Sequence, residues 1–105
     1  MITVIATIQL RPGCRDAYLE RLARLLPLVE AEAGCLAYRP HVDLDAGLPR
    51  QVAEPDQVIL VEQWRGLAEL QAHLSAPHMV TYREEVAAWV ETVSIRVLAP
   101  VGQGS

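Results

Sequence analysis

The chain has 105 residues, 51% of them hydrophobic, a formal net charge of −4 and no lysine, a length that suits one domain with a core of its own. A phosphate-binding face needs clustered Lys and Arg, and the nine arginines here are scattered apart from Arg15, Arg21 and Arg24, which excludes nucleic acid as the expected partner. No apolar run approaches the roughly 18 residues of a membrane span and no charged-then-apolar leader opens the chain, so the expectation is a cytoplasmic protein.

Residues 2–10 are rich in β-branched side chains and read as a strand, with Ile2, Val4, Ala6, Ile8 and Leu10 on one face and Thr3, Ile5, Thr7 and Gln9 on the other. Arg11-Pro12-Gly13 ends it. A helix is expected from about Cys14 to Ala33, because Tyr18, Leu22, Leu25, Leu26, Val29 and Ala33 recur at helical spacing. Pro27 should kink that helix or make it restart, and Gly34 is placed as its C-cap. Cys14 and Cys35 flank it. About 20 helical residues would hold them roughly 30 Å apart, so they are expected as free thiols.

Residues 35–45 alternate as a strand, with Leu36, Tyr38, Pro40, Val42 and Leu44 facing one way. Pro40 points to an edge position or a bulge. The Gly- and Pro-containing stretch 46–56 reads as a hairpin connection. A further strand is expected over 57–65, then a short helix over 67–74 with Leu67, Leu70 and Leu74 as its stripe. Pro77 suits the first position of another helix reaching about Val90, on which His78, Tyr82, Val86 and Trp89 share a face. The last strand covers roughly 91–99, and residues 101–105 form a loose tail behind a domain of residues 1–100.

The order is β-α-β-β-α-β with the second helix in two pieces. That is an α+β, ferredoxin-like arrangement with an antiparallel sheet and its helices on one face. The other sheet face would carry several of Ile5, Ile59, Val61 and Val97. It is too apolar to stand open to water, so a second copy is expected to cover it.

Residues 58–79 hold the chemistry. Glu62 and Trp64 lie two apart on one strand face, and His73 and His78 straddle Ser75-Ala76-Pro77. Glu62 reads either as a carboxylate near a strand end, paired with Arg or wetted, or as a partly buried acid of raised pKa beside a ligand. Trp64 is either core or the wall of a flat pocket. Each imidazole is either a core or capping group or a general base. His41 falls on a polar strand face. Metal-ligand spacings are missing, so metal binding is not expected, and Gly-rich phosphate loops, nucleophile elbows and dinucleotide fingerprints are missing as well.

Glu32-Ala33-Gly34-Cys35-Leu36-Ala37-Tyr38 resembles the E-x-G-C-x-x-Y segment of the antibiotic biosynthesis monooxygenase family. Glu62-Gln63-Trp64, Leu70-x-x-His73-Leu74 and Pro77-His78 resemble that family's E-x-W…L-x-x-H-L-x-x-P-H signature, closest to its quinol monooxygenase branch. The resemblance implies a homodimeric α+β barrel that oxidises a quinol, phenol or similar aromatic with molecular oxygen, without metal, haem or flavin. It implies His73, His78 and Trp64 as catalytic candidates, Glu62 beside them orienting an imidazole, and Tyr38, Tyr82, Leu60 and Met79 against the substrate. Two departures matter. The first strand lacks the Asn of haem-degrading relatives, and Ala76 replaces the usual Thr or Ser before Pro-His, which leaves the helix cap to Ser75.

Two other functions compete. An isomerase or proton-transfer enzyme for a small, sugar-like and sometimes phosphorylated metabolite would want cationic or donor groups inside the pocket, and Arg39 or Arg65 pointing in would favour it. A non-catalytic dimeric binding or stress protein would show a sealed core near Trp64.

Overall fold

The structure, a computed structural model, describes residues 1–102. The expected tail therefore lies mostly outside the described residues. The elements are β1 (Ile2–Leu10), α1 (Arg15–Glu30), β2 (Cys35–His41), β3 (Gln57–Trp64), α2 (Leu67–Leu74), α3 (Pro77–Val86) and β4 (Val90–Leu98). All strand pairings are antiparallel, in the order β2-β3-β1-β4, which is the expected ferredoxin-like topology. Among the described residues no helix is long and apolar enough to cross a membrane.

Strict alternation on β1 and β3 buries Val4, Ala6, Ile8 and Leu10 together with Val58, Leu60, Glu62 and Trp64, while the residues between them are only half-buried. Tyr18, Leu22, Leu25 and Val29 of α1 supply the facing layer. Each such aliphatic side chain contributes about 1.5–3 kcal/mol by leaving water. On the opposite sheet face Ile5 pairs with Val61, and Ile59 with Thr7 and His41. Val97 was expected there and is not: it pairs with Val4, so it lies on the helix side with Val93 and Ile95. No helix packs closely over β4, so these three stay 47–58% exposed.

Several boundaries differ from the sequence reading for local reasons. α1 passes through Pro27 and ends at Glu30, three residues short of Ala33. The proline falls in the last turn, so its missing N–H costs one bond near a terminus that is already fraying. Ala31 is the C-cap, and Gly34 closes the following turn with φ +80°. β2 stops at His41 instead of Asp45. Beyond it the Asp43 carboxylate accepts from the Glu54 backbone N–H at 2.9 Å, a side-chain contact where a ladder was expected. Cys35 pairs with Trp64 and Ala37 with Gln63, which leaves Leu36 as a bulge residue, 53% exposed. β2 is an edge strand, as Pro40 requires.

On α2 the buried pair is Leu70 and His73, whereas Leu67 and Leu74 are exposed. α3 ends at Val86, with Met79, Tyr82 and Val86 inward and His78 half-buried. Ser75 does not cap it. Its hydroxyl donates back to the carbonyls of Gln71 and Ala72, and Ala76 occupies the N-cap without a side-chain bond. Cys14 and Cys35 are free, and His41 is exposed.

Candidate active site

β3 places Glu62 and Trp64 on the helix face, both buried. The Trp64 indole N–H donates to Glu62 Oε1 at 3.0 Å. Among the described residues no arginine pairs with this carboxyl, which is 4% exposed, so the Arg-paired reading does not apply. Burial pushes its pKa up to about 7. The Trp64 hydrogen bond works against that shift, and the charge of Glu32 adds to it.

α2 packs its last turn against Trp64. The His73 ring lies 4.6 Å from the Trp64 ring, centroid to centroid, and Tyr38 approaches His73 edge-on at 5.4 Å. His73 Nδ1 is 2.8 Å from Glu32 Oε2. The chain then turns at Ser75-Ala76-Pro77, and His78 returns to the same oxygen, its Nε2 2.8 Å away. Glu32 is brought there by the tight turn between α1 and Gly34. Burial holds His73 below the ordinary imidazole range. The Glu32 bond and charge oppose that shift, and the charges of His78 and Arg83 reinforce it.

A cavity of about 440 Å³ opens between the helix side of the sheet and α2–α3, with Val4, Ala6, Ile8, Leu60, Met79 and Val86 among its apolar lining. Its polar lining consists of Tyr18, Tyr38, Glu62, His73, Tyr82 and Arg83. The Tyr18 and Tyr82 hydroxyls bond to each other. Burial pushes the Tyr18 phenol up to about 12 and raises Tyr38 and Tyr82 further, so all three remain protonated donors. Among the described residues, His73 Nε2, Glu62 Oε2 and the Tyr38 hydroxyl have no protein partner, yet none is a buried orphan. They therefore open onto the cavity that all three residues line.

Of the residues expected from sequence, His73, Glu62, Tyr38, Tyr82, Leu60 and Met79 line this cavity, and Trp64 and His78 do not. Trp64 stands behind His73 and Glu62, and His78 stands behind Glu32. The role of orienting an imidazole, expected of Glu62, has its geometry at Glu32 instead: Glu62 bonds Trp64, while Glu32 holds both imidazoles. Glu32 is the member of this cluster that pattern reading passed over, because it falls among the polar positions off the α1 stripe. The available signal was its place two residues before Gly34 in the E-x-G-C-x-x-Y segment. Arg39 and Arg65 are exposed and lie off the cavity. Arg83, at the cavity wall, donates from Nη2 to the Leu74 carbonyl at 2.8 Å. Among the described residues no three His, Cys, Asp or Glu groups converge as metal ligands, since both imidazoles aim at the Glu32 oxygen itself.

The family model described as antibiotic biosynthesis monooxygenase matches residues 1–85. YgiN of Escherichia coli (strain K12), whose name is probable quinol monooxygenase, is 45% identical over 102 residues, covering 95% of this chain and 98% of its own. The crystal structure of PA3566 from Pseudomonas aeruginosa is 31% identical and superposes with a TM-score of 0.81, covering 96% of this chain and 94% of that one. The structure of Rv0793 from Mycobacterium tuberculosis is 28% identical, with a TM-score of 0.80 over 99% of this chain and 98% of that one.

Proposed function

The chain belongs to the antibiotic biosynthesis monooxygenase family, and we propose that it is a cofactor-independent monooxygenase that oxidises a quinol or similar electron-rich phenol with molecular oxygen. The observation that carries this reading is His73: a buried imidazole bound to a carboxylate at Nδ1, with Nε2 open to an apolar cavity. Glu32, being an acceptor, fixes the proton on Nδ1 and leaves the Nε2 lone pair to act as base. Because burial keeps the ring neutral near pH 7, the base is ready when substrate enters.

In the proposed cycle His73 Nε2 takes a hydroxyl proton, and the phenolate oxygen accepts a hydrogen bond from Tyr38. The electron-rich anion gives one electron to O₂, and the resulting radical pair joins as a C–O bond. Loss of the ring C–H proton, cleavage of O–O and oxidation of the second hydroxyl then release water. Quinol plus O₂ becomes hydroxyquinone plus water: one oxygen atom enters the ring, the other leaves, and the substrate supplies all four electrons. Glu62, with its pKa near 7, is the proton donor for the departing oxygen. The apolar walls keep water from the radical pair. Leu60 and Met79 contact the ring, Tyr82 closes the wall with Tyr18, and Trp64 and His78 act from behind the residues that touch substrate.

The phospho-sugar reading called for cationic or donor groups in the cavity; neither Arg39 nor Arg65 reaches it, and the guanidinium that does line it, Arg83, is tied to the Leu74 carbonyl. A sealed core would have supported the non-catalytic reading, and the cavity beside Glu62 and His73 withholds that support. We further propose that the apolar sheet face around Ile5, Ile59 and Val61 is covered by a second copy, and that the protein works in the reducing cytoplasm with both thiols free. A stable monomer in sedimentation at micromolar concentration would refute the dimer.

Oxygen uptake with a panel of reduced quinones and anthrone-like phenols, on metal-stripped protein with chelator present, tests the activity. The expected result is one O₂ consumed per hydroxylated product. A requirement for added flavin or iron would overturn the cofactor-free reading.

A further inference from the structure

One carboxylate oxygen serving two imidazoles is an unusual use of a single charge. His73 and His78 both reach Glu32 Oε2 at 2.8 Å, although one negative charge compensates only one imidazolium. The three side chains grade from cavity to solvent: His73 is 2% exposed, Glu32 13% and His78 24%. A buried base is thus linked, through one atom, to a group in contact with water.

We infer that Glu32 and His78 are positioning residues for His73: Glu32 fixes its tautomer and supports its charge, and His78 competes for that same carboxylate, so the protonation of a surface imidazole sets the basicity of the buried one. This inference rests on the reading of His73 as the base. When His78 carries a proton, it takes up the Glu32 charge and repels a second proton at His73. When His78 is neutral, the carboxylate is left to the imidazolium that His73 becomes on accepting the substrate's proton. No proton has to cross the carboxylate. Arrival of a proton at His73 favours its loss from His78 to water, and departure of that proton from His73 reverses this. The other groups facing His73 fit the scheme. Arg83 is a fixed charge tied to the Leu74 carbonyl, Tyr38 is a phenol held protonated, and Trp64 has no charge. Glu62 lines the same cavity and is bound to Trp64. His78 is therefore the neighbour that shares the Glu32 oxygen with His73 and also meets solvent.

The test uses ¹⁵N-histidine NMR titration of the whole protein, alongside the pH profile of turnover. In the wild type His73 is expected as the Nδ1–H tautomer. His78→Gln keeps a donor for Glu32 but cannot charge, so the His73 midpoint and the acidic limb of turnover should both move up by about one pH unit. Glu32→Gln should move the His73 midpoint down, mix its tautomers and lower kcat at least ten-fold with little change in KM. An unchanged His73 midpoint in His78→Gln would overturn the coupling. A fixed Nδ1–H tautomer in Glu32→Gln would overturn the role of the carboxylate. If wild-type protein consumes no oxygen with any quinol, the proposed activity fails, and the NMR titration still decides the coupling.

Discussion

Trp64 donates its indole N–H to Glu62, two residues earlier on the same strand face, at 3.0 Å, and the pair is almost wholly buried. Glu62 is therefore an acid kept inside a core by one hydrogen bond and its own proton. Its pKa rises from 4.5 to about 7 on folding, so the folded chain binds that proton more tightly than the unfolded chain does. The resulting stability is fully present below pH 4.5 and is lost as pH rises through about 7.

Glu62→Gln keeps an acceptor for Trp64 and removes the ionisation. Thermal unfolding should show the variant more stable than wild type at pH 8, by on the order of 2–3 kcal/mol. The difference should shrink as pH falls and vanish only below pH 4.5. If Glu62 also delivers the proton to the departing oxygen, the same substitution lowers turnover, a gain in stability at the expense of activity. Equal melting temperatures at pH 8 would show that the carboxyl is not held protonated.

The second prediction separates the two imidazoles. Among the described residues His73 is the histidine that lines the cavity, and with His73→Ala kcat should fall by roughly 10²-fold or more, the range of a lost general base. His78 lies outside the cavity, so its conservative replacement should leave most of the maximal rate in place. Stopped-flow oxidation of a quinol by the two variants, each checked for fold by circular dichroism, makes the comparison. Equal losses in both would mean that His73 is not the group that takes the proton.

The same histidines show where the sequence is readable and where it is not. β1 and β3 follow the alternation residue by residue, because one face is buried along their whole length and a slip would reverse it. α2 and the position of Pro77 at the head of α3 follow from chain-local rules. The bulge at Leu36 has no such signal: it comes from pairing with β3, a partner some 27 residues away. The exposure of Val93, Ile95 and Val97 arises because the helices stop short of β4, a matter of packing that periodicity on one strand cannot express. Glu32 was legible only as part of a motif. Its two partners lie 41 and 46 residues further along the chain, so no spacing rule joins them.

The Tyr18 and Tyr82 hydroxyls bond to each other inside the cavity wall, which makes each the other's protein partner. Tyr18→Phe or Tyr82→Phe alone leaves one phenol unpaired against apolar walls and should cost about 1–2 kcal/mol. The double variant removes both groups, so its loss should be clearly smaller than the sum. Urea titration of the four proteins gives the coupling. Strict additivity would mean that the two phenols are satisfied independently of one another.

Gly34 closes the turn that carries Glu32 to the imidazoles, and two separate constraints act on it. Its φ of +80° is a region that L side chains adopt at a cost of about 1–3 kcal/mol. A Cβ at this position would also lie 2.3 Å from Glu69 Cγ and 2.9 Å from Glu69 Cβ. The nearer atoms belong to the root of the Glu69 side chain, which cannot swing aside as its carboxylate can. Gly34→Ala should therefore lower the melting temperature by roughly 10 °C or more. Glu69→Ala removes the contact to Cγ and leaves both the contact to Cβ and the backbone constraint, so the double variant should recover part of the loss and not all of it. Activity should fall with the first substitution and return in part with the second, because the Glu32 contact to His73 Nδ1 depends on the path of this turn. A Gly34→Ala protein that melts with wild type would show that the turn has room to rearrange, and with it that Glu32 is not held where two imidazoles can share it.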